Sequence, residues 1–210
     1  MSMRVKIFFA FFFVITILCG FSDEIKFSSE KMTARNLDDQ NYTKLERNAS
    51  IKTESMEIFA DTIELSGEEY RIVEAQGSVR GKYTEDGFDF TCTKLYYDRK
   101  TKIVKLEGSV HLIDTKNNVD AKAQVIEYNQ NTCVAVMQIS VEIQSKDDFC
   151  TGAMGIYHKN EKILELTGSP QILRGDDKFR AQEIVLDMET EEIKLDGKVR
   201  GTVTEDGTNN

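Results

Sequence analysis

Two histidines and four cysteines are the side chains best able to serve as base, nucleophile or metal ligand in this chain. His111 and His158 stand far apart, on positions that the local alternation turns outward. Neither has a nucleophile at a spacing that would make a catalytic pair. Cys19, Cys92, Cys133 and Cys150 follow none of the paired spacings that hold zinc. Cys92, Cys133 and Cys150 lie beyond the apolar N-terminal run, and an odd set cannot pair fully, so they read as small buried hydrophobes. The 36 Asp and Glu residues fall mostly on outward positions and in turns, where they form a solvated surface. "KYTEDG" and "TVTEDG" lack the glycine pattern of calcium-binding arrays, and no phosphate-binding loop is present. No catalytic residue, metal ligand or cofactor is expected. The chemistry that recurs is apolar.

That recurrence is a repeat. "IVKLEGSVHL", from Ile103, has relatives in "IVEAQGSVRG" from Ile72, "ILELTGSPQIL" from Ile163 and "EIKLDGKVRG" from Glu192. Aligned on the glycine, the column reads Gly77, Gly108, Ile139, Gly168 and Gly197, at intervals of 31, 31, 29 and 29 residues. A degenerate earlier copy places Asn48 in the same column. Such periods indicate stacked units that bury their apolar faces against one another.

Each unit has two parts. Around the glycine, every second residue is apolar or small, as in Val104, Leu106, Gly108, Val110 and Leu112, or Ile193, Leu195, Gly197, Val199 and Gly201. Strict alternation predicts a half-buried strand. The part upstream alternates too, then skips a residue: Phe90, Cys92, Leu95, Tyr97; Ala121, Ala123, Ile126, Tyr128; Phe179, Ala181, Ile184, Leu186. A slip at a fixed place predicts a β-bulge that bends every strand at one height. Polar turns such as "DRKTK", "NQNTC", "HKNEK" and "METEE" join the parts as hairpins. The glycine falls in the inward column, where it would mark a bend or leave space. The expected fold is all-β: two facing antiparallel sheets around a shared apolar interior, with no helical periodicity beyond the N-terminus.

Residues 1–22 hold a basic start, the 14-residue apolar run "IFFAFFFVITILCG" and small residues in "GFS" before Asp23. This predicts a secretory signal peptide cut after Ser22. The run is shorter than the ~20 residues of a membrane span, although an uncleaved anchor is the alternative. A lipoprotein cysteine at Cys19 is disfavoured by the bulky Leu18 before it. The folded domain is expected over 23–204, with a tail at 205–210. The formal charge is −9, and losing Arg4 and Lys6 takes it to −11. An acidic surface argues against nucleic acid and against docking on anionic headgroups.

The unit seen in "AQVIEYN", "KLYYD", "ILELTGSPQIL" and "IKLDGKVRG", with the opening "IKFSSEKMTARN", resembles the LptA/OstA family of periplasmic lipopolysaccharide-transport proteins. The resemblance covers about residues 24–204. It implies an elongated, twisted antiparallel β-jellyroll whose apolar groove holds acyl chains of lipopolysaccharide or a similar glycolipid. It also implies end-to-end assembly into a bridge. At the inner membrane the partner would be an LptC-like protein with its ABC-transporter complex; at the outer membrane, an LptD-like protein. LptC-like adaptors share the fold behind a membrane span, so an anchored adaptor is the alternative, as is a structural adhesin without cargo. The groove-lining candidates are Ile58, Ile63, Leu65, Phe90, Leu95, Tyr97, Leu106, Val110, Ile126, Tyr128, Leu166, Ile172, Phe179 and Leu186. From residue types alone the same set would serve as a closed, filled core; the resemblance favours a slot. The terminal stretches Ile25–Thr33 and Lys198–Thr204 carry no proline and could pair with other chains as exposed edges. A head-to-tail homo-oligomer is therefore expected.

Overall fold

The computed structural model describes residues 24–37 and 40–204. The expected signal peptide and the 205–210 tail lie outside the described residues. Within them the strands are β1 (Lys26–Ser28), β2 (Lys31–Leu37), β3 (Gln40–Lys52), β4 (Met56–Gly67), β5 (Ile72–Tyr83), β6 (Phe88–Asp98), β7 (Ile103–Asp114) and β8 (Val119–Asn129). There follow β9 (Val134–Ser145), β10 (Asp148–His158), β11 (Ile163–Thr167), β12 (Gln171–Arg174), β13 (Asp177–Arg180), β14 (Glu183–Asp187), β15 (Ile193–Asp196) and β16 (Arg200–Thr202). All sixteen join one antiparallel sheet. No helix among the described residues is long and apolar enough to cross a membrane.

From β3 to β10 each strand pairs with the next in chain order, as hairpins with short polar turns must. Every one of these ladders shifts register in mid-strand, as between Thr91 and Lys94 on β6 and between Glu107 and Val110 on β7. The expected bulge is therefore present in each unit, and the sheet folds over along this line. Strand halves on either side become two facing layers. In the last third the bulge becomes a break: β10 pairs with β11 along one half and with β12 along the other, and β13/β14 and β15/β16 divide in the same way. At the other end, β1 and β2 divide the first strand across β3.

The bulge has a different cause from the one the alternation suggests. Two successive residues take left-handed backbone in each unit: Gly77–Ser78, Gly108–Ser109, Ile139–Ser140, Gly168–Ser169 and Gly197–Lys198. These two residues oppose one on the neighbouring strand. A Cβ built on Gly108 would lie 2.6 Å from Thr93 Oγ1 and 2.8 Å from Thr93 Cβ, and Thr93 is exposed on the outer face. The glycine thus marks a left-handed turn pressed against an outward neighbour and leaves no inward space. Asn48 shifts by one place for the same reason. Arg47 at φ 64° takes the glycine position and Asn48 follows at 52°. Val199, expected inward, is 52% exposed where the stack ends.

Turn chemistry repeats with the same regularity. Asp98, Asp114, Asn129 and Asp187 end their strands, and each accepts two backbone N–H bonds from residues two and three places on. These Asx turns close the hairpins without a bulky loop.

Candidate lipid-binding interior

The side chains between the layers form one apolar cluster running from Leu45 to Met188. All the groove-lining candidates lie in it and are buried, from Ile58, Ile63 and Leu186 at 0% exposed to Tyr97 at 8%, except Phe179, which is half-buried at its margin. The alternation brings them together because inward positions of successive units stack in columns. Both layers contribute, as in the edge-to-face contact of Phe88 from one with Tyr128 from the other, ring centroids 4.8 Å apart.

An open slot is not what these side chains make. Leu112, Val119 and Ile143 of one layer meet Ile126, Met137, Tyr157, Leu164 and Met188 of the other around a cavity of about 10 Å³. The layers close because apolar side chains on facing sheets interdigitate at the density of any interior.

The hinge at the bulges leaves one long side where the layers are not joined by strand pairing. Two rows of turns face each other across this mouth. Within a row, backbone bonds stitch each turn to the next unit, such as Thr84 N to Ser55 O, Gln130 N to Lys102 O and Met188 N to Lys162 O. Across the mouth the contacts are side chains. Tyr128 Oη donates to Asp86 Oδ2 at 2.5 Å. Lys159 Nζ, 6% exposed, donates to the fully buried Asp114 at 2.5 Å, and Tyr157 Oη and Asn117 Nδ2 donate to the same carboxylate at 3.0 Å. The Lys159 ammonium also stands 4.7 Å over the Phe88 ring. Lys146 pairs with Glu191 at 2.7 Å. Burial raises the phenols of Tyr83, Tyr128 and Tyr157, with Glu85, Asp86 and Asp114 beside them adding to the rise. They stay neutral and act as donors.

The chemically reactive residues have quiet roles. His111 pairs with Asp120 at 2.9 Å and His158 with Glu165 at 3.1 Å, each on the outer face of adjacent strands. Cys92, Cys133 and Cys150 are free. Burial pushes the thiols of Cys92 and Cys150 up to about 12, so both behave as small hydrophobes. Among the described residues no cluster of His, Cys, Asp and Glu could hold a metal.

The side chains that bridge the mouth escape sequence reading. Asp114 and Lys159 look like ordinary turn residues, and only the fold brings them together. The recurring strand-end Asp was a visible signal, since each begins a turn. At both ends of the stack the interior continues to the surface. Phe27 and Met32 are 49% and 48% exposed at the N-terminal end; at the other, Val203 is 67% exposed, and Phe179, Ile193 and Leu195 are half-buried. Among the described residues the strands there, β1, β2, β15 and β16, each pair on one side only.

Among curated proteins none matches this sequence. Among solved structures, the crystal structure of LptH from Pseudomonas aeruginosa is similar. It is described as the LptA homologous periplasmic component of the conserved lipopolysaccharide transport device. That chain is 12% identical, with a TM-score of 0.29, over 88% of this chain and 97% of its own. The family described as OstA-like protein matches residues 24–168, well over half of the sequence, and the chain belongs to that family.

Proposed function

We propose that this protein is a periplasmic carrier. It shields the acyl chains of lipopolysaccharide or a related glycolipid between its two layers and joins end to end into a bridge between inner and outer membranes. The observation that carries the reading is an apolar interior, continuous along the stack, that reaches the surface at both ends. Each buried methylene contributes about 0.8 kcal/mol, so a ten-carbon tail resists water by roughly 8 kcal/mol. An apolar path through stacked units removes most of that barrier. The mouth supplies the way in, because side-chain contacts alone span it and a ladder of backbone bonds does not need to break.

In this reading residues 1–22 direct export and are removed, and residues 23–204 act as one domain. The half-paired end strands join one copy to the next by strand addition. An LptC-like protein and its ABC transporter would load the chain, and an LptD-like protein would receive from it. The energy comes from that transporter, and no catalytic step falls to this chain. A photo-crosslinking residue placed at Phe90 or Ile126 tests the carrier role in cells. Capture of glycolipid at both, with none at the outward Lys122, is expected. Equal capture at Lys122, or none at either inward position together with no displacement of a fluorescent fatty-acyl probe in vitro, overturns it.

A further inference from the structure

The mouth is not uniform. Between the turns after β7 and β9 on one side and those after β10 and β14 on the other, it widens into a cleft of about 320 Å³. Lys116, Asn117, Ser145, Lys146, Lys162, Met188 and Glu189 line it. With Glu191 on Lys146, three lysines stand against two glutamates, a small net positive charge on a chain whose formal charge is −9. Met188 also lines the small apolar cavity between the layers, so the cleft lies directly above the interior with one flexible side chain between them.

We propose that this cleft binds the phosphate groups of an amphiphile whose acyl chain passes Met188 into the interior. The inference rests on the carrier reading and names the headgroup chemistry and the place of access.

The lysines are available. Lys116 Nζ donates to the Glu85 backbone carbonyl and has no carboxylate partner among the described residues. Lys146 and Lys162 pair with Glu191 and Glu189, whose side chains are 56% and 67% exposed. Exposed pairs of this kind hold weakly, so a phosphate of higher charge can take the lysines and release the glutamates to water. Ser145 adds a hydroxyl, while the Asn117 amide is already committed to Asp114 and Tyr157 beneath the cleft. Methionine suits the boundary because its unbranched chain can swing aside at small cost. A headgroup held here leaves its first methylenes facing Leu164 and Ile126.

The test measures displacement of a fluorescent fatty-acyl probe from the chain lacking residues 1–22. The competitors are an acylated disaccharide bearing two phosphates and the same lipid without them. The unchanged protein should favour the phosphorylated form by about tenfold or more, the effect of one or two charge-assisted contacts. K116Q/K146Q/K162Q should bind both forms as the unchanged protein binds the dephosphorylated one. K26Q/K82Q/K122Q, with the same charge change elsewhere, should keep the preference. Retention of the preference in the first triple variant, or its loss in both, overturns the site, as does an unchanged protein that binds both forms alike; in each case the carrier reading stands. An unchanged protein from which neither lipid displaces the probe overturns the carrier reading and this inference with it.

Discussion

Gly108 and Ile139 occupy equivalent places in adjacent units, and exchanging their chemistry tests what the repeated glycine does. Gly108 stands at φ 82° and Ile139 at φ 67°. A side chain in left-handed backbone costs about 1–2 kcal/mol. At Gly108 the new Cβ would also come within 2.8 Å of Thr93 Cβ, a closeness that requires the two strands to move apart. Gly108→Ala should therefore destabilise by about 2–3 kcal/mol, lowering the thermal midpoint by roughly 5–10 °C for a domain of this size. Ile139→Gly relieves the backbone cost. It gives back about 0.5–1 kcal/mol of glycine entropy and a little burial, since Ile139 is already 58% exposed. The net change should stay within about 1 kcal/mol. Had the column pointed inward and left space, the signs would reverse. Filling Gly108 would be neutral or stabilising, and emptying Ile139 would cost about 2–5 kcal/mol as a cavity. Urea and thermal unfolding followed by far-ultraviolet circular dichroism measure both. If Gly108→Ala is tolerated while Ile139→Gly loses more than about 2 kcal/mol, the glycine column faces the interior and leaves space there. Adding Thr93→Gly to Gly108→Ala should restore part of the loss, because the clash is with that residue.

Two further outcomes follow from the mouth and the turns. Lys159→Met leaves Asp114 buried without its cation and should destabilise by about 3–5 kcal/mol in chemical unfolding. Asp114→Asn with Lys159→Met removes the stranded charge but keeps an acceptor for the turn N–H groups of Lys116 and Asn117, and should recover part of that loss. A double variant as unstable as the single would show that the unpaired charge is not the cause. The Arg71 guanidinium, in a two-pronged contact with Asp98, and the N–H groups of Lys100 and Thr101 hold the Asp98 carboxyl well below the usual carboxylate range. Its contribution is complete above the unfolded value of about 3.9 and fades as pH falls below that. Arg71→Gln should therefore move the acid-unfolding midpoint to higher pH; an unchanged midpoint would exclude this pair as a determinant.

The amino-acid sequence by itself determined the strand class, the hairpin order, the repeat and the inward residues. All of these follow from a two-residue period interrupted at a constant place, and that pattern is local. Thirteen of the fourteen groove candidates are buried because parity along a strand is enough to assign a face. Direction at the glycine was not legible, since alternation counts residues and a pair in left-handed backbone changes the count without changing residue type. Only the tertiary structure decided three things. The two layers close on each other with almost no space between them, because facing side chains fill it. Asp114 finds Lys159, and three lysines find Met188, because folding over at the bulges brings turns from different units to one mouth. The ends of the stack are apolar and half-paired, because no further unit among the described residues covers them.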